Sequence, residues 1–391
     1  MKILIYCEYF APLAGGVQTA VQLLAGGLAN LNQNEYGTAL THFEVTVATT
    51  TPASGMDDST LAYRVIRKPG FARLFQLIRE ADVIHLAGPA FLPLLLPLSM
   101  RKPVVVEHHG FQAICPNGQL FYEPSQSPCP GHFMAGRHVE CLRCNAGQGS
   151  FRSFRAWLFT FPRRWLCQHV AVNIVPTNWL ASLLRLPRMV TVHHGLTQIS
   201  SPPLVCNARS PVTFAFLGRL VTTKGARVLL EAARVLKERG FSSFRIKIVG
   251  DGPERMRLEE LVRDFQLQNI VAFLGYIPNE GFEESLKDAC TIVMPSLAGE
   301  VFGLVAAENM QRGRLVVASD IGALREVVGN AGLTFPPGDA NALANCMQRV
   351  LDDPSLAERL GEEARKRVSE TFREQSMVEQ HASVYIRATS Q

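Results

Sequence analysis

The chain has 391 residues, 47% of them hydrophobic and 19% charged, with a formal net charge of +5. That length predicts about two domains with cores of their own, and the composition excludes a disordered or fibrous chain. The mild positive charge suits an acidic ligand or an anionic surface and does not argue for nucleic acid.

The N-terminus enters a strand at once and meets Glu8, unlike a secretory leader. The most apolar run, 89–100, contains Pro89, Pro93 and Pro97 and is too short and too broken to span a bilayer. The expectation is a cytoplasmic protein, with peripheral contact at the inner face of a membrane. Its nine cysteines are then expected as thiols or metal ligands and not as disulfides.

In chain order, residues 2–7 read as a parallel strand. A loop with Gly15 and Gly16 follows, where backbone amides can approach a ligand closely, and then a helix over 17–31. Further strands are expected over 43–48, 82–86 and 103–106. His85 reads as a satisfied core histidine. The last of these strands runs into Glu107-His108-His109-Gly110. His109, at a strand's carboxyl end, faces the crevice of a doubly wound sheet and can bond a sugar or carry a proton.

Residues 115–144 hold Cys115, Cys129, Cys141 and Cys144 among Gly, Pro, Asn and Ser. Four cysteines ending in C-x-x-C fit a tetrahedral thiolate site, with structural Zn²⁺ as the expected ion. An iron–sulfur cluster, free thiols or redox disulfides are the rival readings, and His132 or His138 can replace one thiolate.

Over 151–169, Arg152, Arg155, Arg163 and Arg164 interleave with six aromatic residues. One reading is an amphipathic segment facing a membrane surface or an acceptor. The plainer one, a helix with a core face and a solvated basic face, is favoured because Pro162 breaks the pattern. Strands follow over 170–175 and 189–192, the second leading to His193-His194-Gly195. The Pro- and Ser-rich stretch 200–211 reads as an interdomain linker.

A second α/β run begins at 212. The strand 212–217 ends in Gly218-Arg219, and Lys224-Gly225 opens a long helix; the two cations stand where a pyrophosphate binds. Strands over 244–249 and 270–274 end at Gly250 and at Gly275-Tyr276-Ile277. The branched run 291–294 reads as a buried strand whose loop carries Glu300, and Gly303-Leu304 opens a helix with Glu308 about a turn and a half in. Free amides at that helix start suit a phosphate, and carboxylates flanking it suit sugar hydroxyls, so the constellation fits a nucleotide sugar. A strand over 314–318 follows, the stretch 333–338 precedes a last sheet-side helix, and the tail from 369 is helical in pattern.

The strings GRLVTTKG (218–225), VGDGPE (249–254), FLGYIP (273–278), Glu300-x7-Glu308 and SDIGALREVV (319–328) stand in an order and spacing that resemble the retaining glycosyltransferases of family 4. The Gly15-Gly16 loop, DVIHL (82–86), the strand before His109 and PTNWLASLL (176–184) extend the likeness to the first half. The cysteine segment resembles an insertion found in a subset of that family.

The resemblance implies an α/β GT-B fold, two Rossmann-like doubly wound domains facing a central cleft. The expected domains are 1–203 for the acceptor, with the insertion at 115–144, and 204–372 for the donor; a helix in 373–391 crosses back to the first. It implies that Arg219 and Lys224 hold the donor's diphosphate and that amides around Phe302, Gly303 and Leu304 bind the distal phosphate. Glu308 would bind the ribose and Glu300 the transferred sugar. Gly250, Tyr276 and Ile277 complete the donor-binding positions. Gly15 and Gly16 close over the donor, and His109 contacts the sugar near the reacting carbon.

The implied activity is sugar transfer with retention from a UDP- or GDP-linked donor, without a catalytic metal. The acceptor would be a saccharide or lipid-linked, in cell-envelope or exopolysaccharide synthesis. The chain departs from the usual pattern at His194, Thr197, Asn309 and Gln311-Arg312, positions that bear on base and sugar preference. The competing readings are an epimerase or phosphorylase of the same fold, and a degenerate scaffold with a zinc-binding interaction module.

Overall fold

The computed structural model describes residues 1–13, 15–31, 42–144, 147, 149–199 and 211–390. The expected linker at 200–211 lies outside these residues except for Pro211. The chain divides into two compact units, one of Met1–Gln119, Gly131–Thr197 and Phe372–Gln391, the other of Leu120–Pro130 and Gln198–Thr371.

The first unit opens with β1 (Lys2–Cys7), α1 (Gly16–Ala29), β2 (Glu44–Thr49), β3 (Arg64–Arg67), α2 (Phe71–Glu80), β4 (Val83–Ala87), α3 (Phe91–Ser99) and β5 (Val104–Glu107). A small antiparallel pair, β6 (Phe121–Tyr122) and β7 (Ser127–Pro128), lies in the short stretch that belongs to the second unit. The first unit resumes with α4 (His138–Cys144), α5 (Ser150–Cys167), β8 (Val172–Val175), α6 (Asn178–Leu184) and β9 (Met189–Thr191).

Its seven strands form one parallel sheet in the order β3-β2-β1-β4-β5-β8-β9. The central strands β1 and β5 are buried apart from Lys2, as a sheet covered on both faces requires. The order reverses between β1 and β4, which makes the carboxyl ends there a topological switch point. Two sequence expectations change. The polar-ended edge strand β3 was not anticipated, so the strand at 82–86 is fourth and not third. Helix α5 runs its full 18 residues through Pro162, and the expected break does not occur; a proline there removes one amide donor without ending the helix.

The second unit contains β10 (Val212–Leu217), α7 (Ala226–Glu238), β11 (Phe244–Val249), α8 (Arg255–Asp264), β12 (Val271–Gly275), α9 (Asn279–Ser285), β13 (Thr291–Met294), α10 (Leu304–Gln311), β14 (Leu315–Ser319), α11 (Gly322–Val328), β15 (Leu333–Phe335), α12 (Ala340–Asp352) and α13 (Ser355–Thr371). Its six strands are parallel in the order β12-β11-β10-β13-β14-β15. That is the dinucleotide-fold order, with its switch point between β10 and β13. Phe214, Phe216, Phe244 and Ile248 pack with Leu229, Leu236 and Met347 in its core.

The last helix, α14 (Glu374–Thr389), belongs to the first unit and packs on α1, β4 and β5. Met377, Val378, Val384 and Tyr385 join Phe10, Val21 and Leu24 in that unit's core. Cys290 is disulfide-bonded, against the expectation of thiols throughout; Cys7, Cys115, Cys129, Cys141, Cys144, Cys167 and Cys346 remain thiols.

Candidate functional site

Each sheet carries a cluster of polar side chains at its carboxyl edge. In the second unit the cluster sits at the switch point. A turn of 3-10 helix over Thr222–Lys224 ends at Gly225, with φ +69°, and α7 begins. A Cβ on Gly225 would stand 1.9 Å from the Pro295 carbonyl oxygen, so only glycine lets the loops after β10 and β13 touch. The Leu297 amide donates to the Thr223 carbonyl at 2.8 Å and fastens the two loops.

This junction brings Lys224 to Glu300. Lys224 Nζ lies 2.5 Å from Glu300 Oε1, and Ser296 Oγ donates to the same oxygen at 2.9 Å. Glu300 is buried, whereas Arg219 is exposed and makes no side-chain hydrogen bond or ion pair among the described residues. Helix α10 starts after Gly303, whose φ of +97° turns the chain, and it has no side-chain cap. Its first-turn amides are therefore open to an anion. A Cβ at Gly303 would meet Leu324 Cδ2 at 2.4 Å, so this turn also depends on glycine.

Glu308 lies in the second turn of α10. Burial pushes its carboxyl up, and the Arg312 charge only partly offsets this. It forms no ion pair among the described residues, so its carboxylate keeps the acceptor capacity that a pair of ribose hydroxyls would use. Gly250 follows β11, and Tyr276 and Ile277 follow the edge strand β12, two strands from β10 on the same edge. Tyr276 is exposed.

The off-pattern residues on α10 have a structural role that sequence reasoning missed. Arg314 is wholly buried and donates to Asn309 Oδ1 at 3.1 Å and to Glu283 at 2.9 Å. Arg312 pairs with the same Glu283. Asn309 Nδ2 donates to the Val305 carbonyl at 2.8 Å. The network ties α9, α10 and the entry to β14 together.

In the first unit, Glu107 ends β5 and is buried within a ring of imidazoles. His85 Nε2 lies 3.2 Å, His109 Nε2 3.5 Å and His381 Nε2 3.5 Å from its Oε2, and His194 Nδ1 lies 3.6 Å from Oε1. The Nε2 atoms of His85, His109 and His381 face the carboxylate without aligned hydrogen bonds. Burial alone would raise this carboxyl, but the His109 and His381 charges outweigh it and hold Glu107 well below the usual carboxylate range.

Protonation of this cluster follows from its hydrogen bonds. Burial and the Glu107 charge push the Tyr385 phenol well above its ordinary value, so it donates to His85 Nδ1, 2.9 Å away. The one N–H of His85, kept neutral mainly by burial, then points to Glu107. His381 Nδ1 lies 2.9 Å from the Met377 carbonyl oxygen while its Nε2 faces Glu107. His109 stacks on His194, with centroids 5.3 Å apart and planes at 16°. Gly15 and Gly16 head α1 at the carboxyl end of β1 on the same sheet.

His85, read as a core histidine, thus belongs to a polar network. His381 and Tyr385 went unnoticed because nothing in residues 374–389 marks them locally; the signal was the acid closing the apolar strand Val104–Glu107. Among the described residues, Glu107, His109 and His194 form the one group whose ligand atoms, all within 4.8 Å of one another, could hold a metal ion. The cysteines are arranged differently. Cys141 and Cys144 lie one turn apart on α4, and Asn117 bridges two thiols, accepting from Cys115 Sγ at 2.9 Å and donating to Cys144 Sγ at 3.4 Å.

Residues 207–367 match the family model for glycosyl transferases group 1, and all of the match that lies in described residues falls in the second unit. Over 151 residues the chain is 33% identical to an alpha-D-kanosaminyltransferase of Streptomyces kanamyceticus, covering 38% of this chain and 39% of that protein. The chain spans less than half the length of the curated relatives it matches. Among solved structures it is similar to sucrose-phosphate synthase from Thermosynechococcus elongatus, with a TM-score of 0.74 and 23% identity over 100% of this chain and 99% of that one. It is also similar to HepE of Anabaena in complex with UDP and glucose, with a TM-score of 0.70 and 18% identity over 98% of both chains. These likenesses establish the α/β fold of the GT-B glycosyltransferases, as expected from the sequence.

Proposed function

We propose that the protein is a retaining glycosyltransferase that moves a sugar from a UDP- or GDP-linked donor to a saccharide or lipid-linked acceptor in cell-envelope or exopolysaccharide synthesis. The observation that carries this reading is the switch point of the second unit, where Lys224 meets Glu300 and α10 starts without a side-chain cap. The donor diphosphate lies on the amides of Phe302, Gly303 and Leu304, and Arg219 and Lys224 neutralise it. Lys224 then exchanges Glu300 for the diphosphate, which frees the Glu300 carboxylate for hydroxyls of the sugar. Glu308 accepts from the ribose, and Gly250, Tyr276 and Ile277 complete the donor contacts.

In the reaction the bond from the anomeric carbon to the diphosphate breaks, and the acceptor oxygen attacks from the same face. Its proton passes to the leaving phosphate, and Arg219, Lys224 and the α10 amides, in place of a metal, offset the charge that develops on the diphosphate. His109, held by Glu107, is assigned to the transferred sugar, and Gly15 and Gly16 to the donor. A structural Zn²⁺ on thiols of the 115–144 insertion would order that segment.

The test is thermal stabilisation by UDP, GDP, ADP and their sugars. A nucleotide at about a hundred times its dissociation constant stabilises by about 2.7 kcal/mol. One base should give that shift, and Lys224→Ala should lose it. No shift with any nucleotide would refute the donor site.

A further inference from the structure

Helix α5 exposes an apolar stripe, of which Phe161 also packs against Phe133 and His138. Phe151, Phe154, Leu158, Phe161 and Trp165 are 77%, 48%, 47%, 40% and 57% exposed. Their alternating spacing of three and four residues sets them within about 80° of arc on one helix face. Ser153, Thr160 and Cys167 are buried on another face, turned to the body of the unit. Helix α3 widens the patch. Phe91 packs edge-on against Phe159 at 5.2 Å, and Leu92 and Leu95 are also exposed.

Charge decides what covers it. Residues 150–167 include Arg152, Arg155, Arg163 and Arg164 and no acid. Arg163 Nε donates to the Pro89 carbonyl at 3.0 Å, and Arg164 Nη1 to the Leu184 carbonyl at 2.8 Å, so both are committed to the unit itself. Arg152 and Arg155 are exposed beside the stripe. A second copy docking the same face would set arginines against arginines. An aromatic face edged with arginines and lacking acids matches an anionic lipid surface. No helix among the described residues is long and apolar enough to cross a membrane, so such a contact lies in the interfacial plane.

We propose that α5, with the exposed leucines of α3, docks the first unit on an anionic membrane surface. Phe151, Phe154, Leu158 and Trp165 enter the headgroup boundary, and Arg152 and Arg155 pair with lipid phosphates. This stands apart from sugar transfer, because lipid binding is read without donor or acceptor.

The experiment floats the full chain with vesicles of phosphatidylcholine, with and without phosphatidylglycerol. The expected result is flotation with the anionic vesicles, weakened by salt. Phe154→Asp/Leu158→Asp and, separately, Arg152→Glu/Arg155→Glu should each weaken binding at least about tenfold. All four positions are exposed, so both variants should melt as the wild type does. Absence of flotation with anionic vesicles, or equal flotation of the variants, overturns the proposal. A dimer by light scattering that the aspartate variant converts to monomer also overturns it, since the stripe would then be a protein interface.

Discussion

His108 and His109 are neighbours in sequence with different settings. Asn173 donates through Nδ2 to the carbonyls of Cys167 and Pro187, so its Oδ1 is the acceptor facing His108 Nε2 at 2.9 Å. His108 is therefore the Nε2–H tautomer, and its buried Nδ1 has no partner. Burial, above all, pushes this ring down to about 4, and pushes His194 down to about 3. An unfolded histidine takes its proton near ~6.5. The stability these neutral rings contribute is thus fully present above about 6.5 and is lost as the pH falls toward the folded values. The urea midpoint should drop over that window, and His108→Gln should make the drop shallower; identical pH slopes would contradict the assignment. Glu107→Gln removes the buried carboxylate that the imidazoles of His85, His109, His194 and His381 all face. It should cost about 3 kcal/mol in urea unfolding, and, on the proposed reading, slow transfer through His109.

At the scale of elements, the contact of the loops after β10 and β13 depends on one glycine. Gly225→Ala should destabilise the second unit by about 2 kcal/mol or more, through strain at positive φ and collision with Pro295. The nucleotide-induced shift should fall with it, which calorimetry on the variant checks. Most strands of both sheets were legible as branched runs, and the second unit's carboxyl-edge residues were legible because each follows such a run. Strand β3, Arg64–Arg67, was not, because it is short and charged at both ends. The course of α5 through Pro162 was misjudged because a local penalty was given more weight than the tertiary packing around it. The Glu107 network was illegible for another reason: its members come from β4, β5, the loop after β9 and α14, and no local pattern links them.

At the scale of the molecule, α14 is what joins the end of the described chain to the first sheet. Removing residues 372–391 deletes His381 and Tyr385 together, and with them two members of the Glu107 network. The first unit should lose at least about 3 kcal/mol and become protease-sensitive in urea, while the second keeps its nucleotide response. Limited proteolysis with and without nucleotide distinguishes the two effects; equal protection of the truncated and full chains would count against it. The same feature constrains the order of synthesis. Residues 198–371 leave the ribosome between the last two of the first unit's three segments. At the usual ~5–20 residues per second this takes about ten to thirty seconds. During that interval the nascent first unit lacks the helix that covers β4 and β5, while the second can already close its sheet, so it is the first that calls for a chaperone.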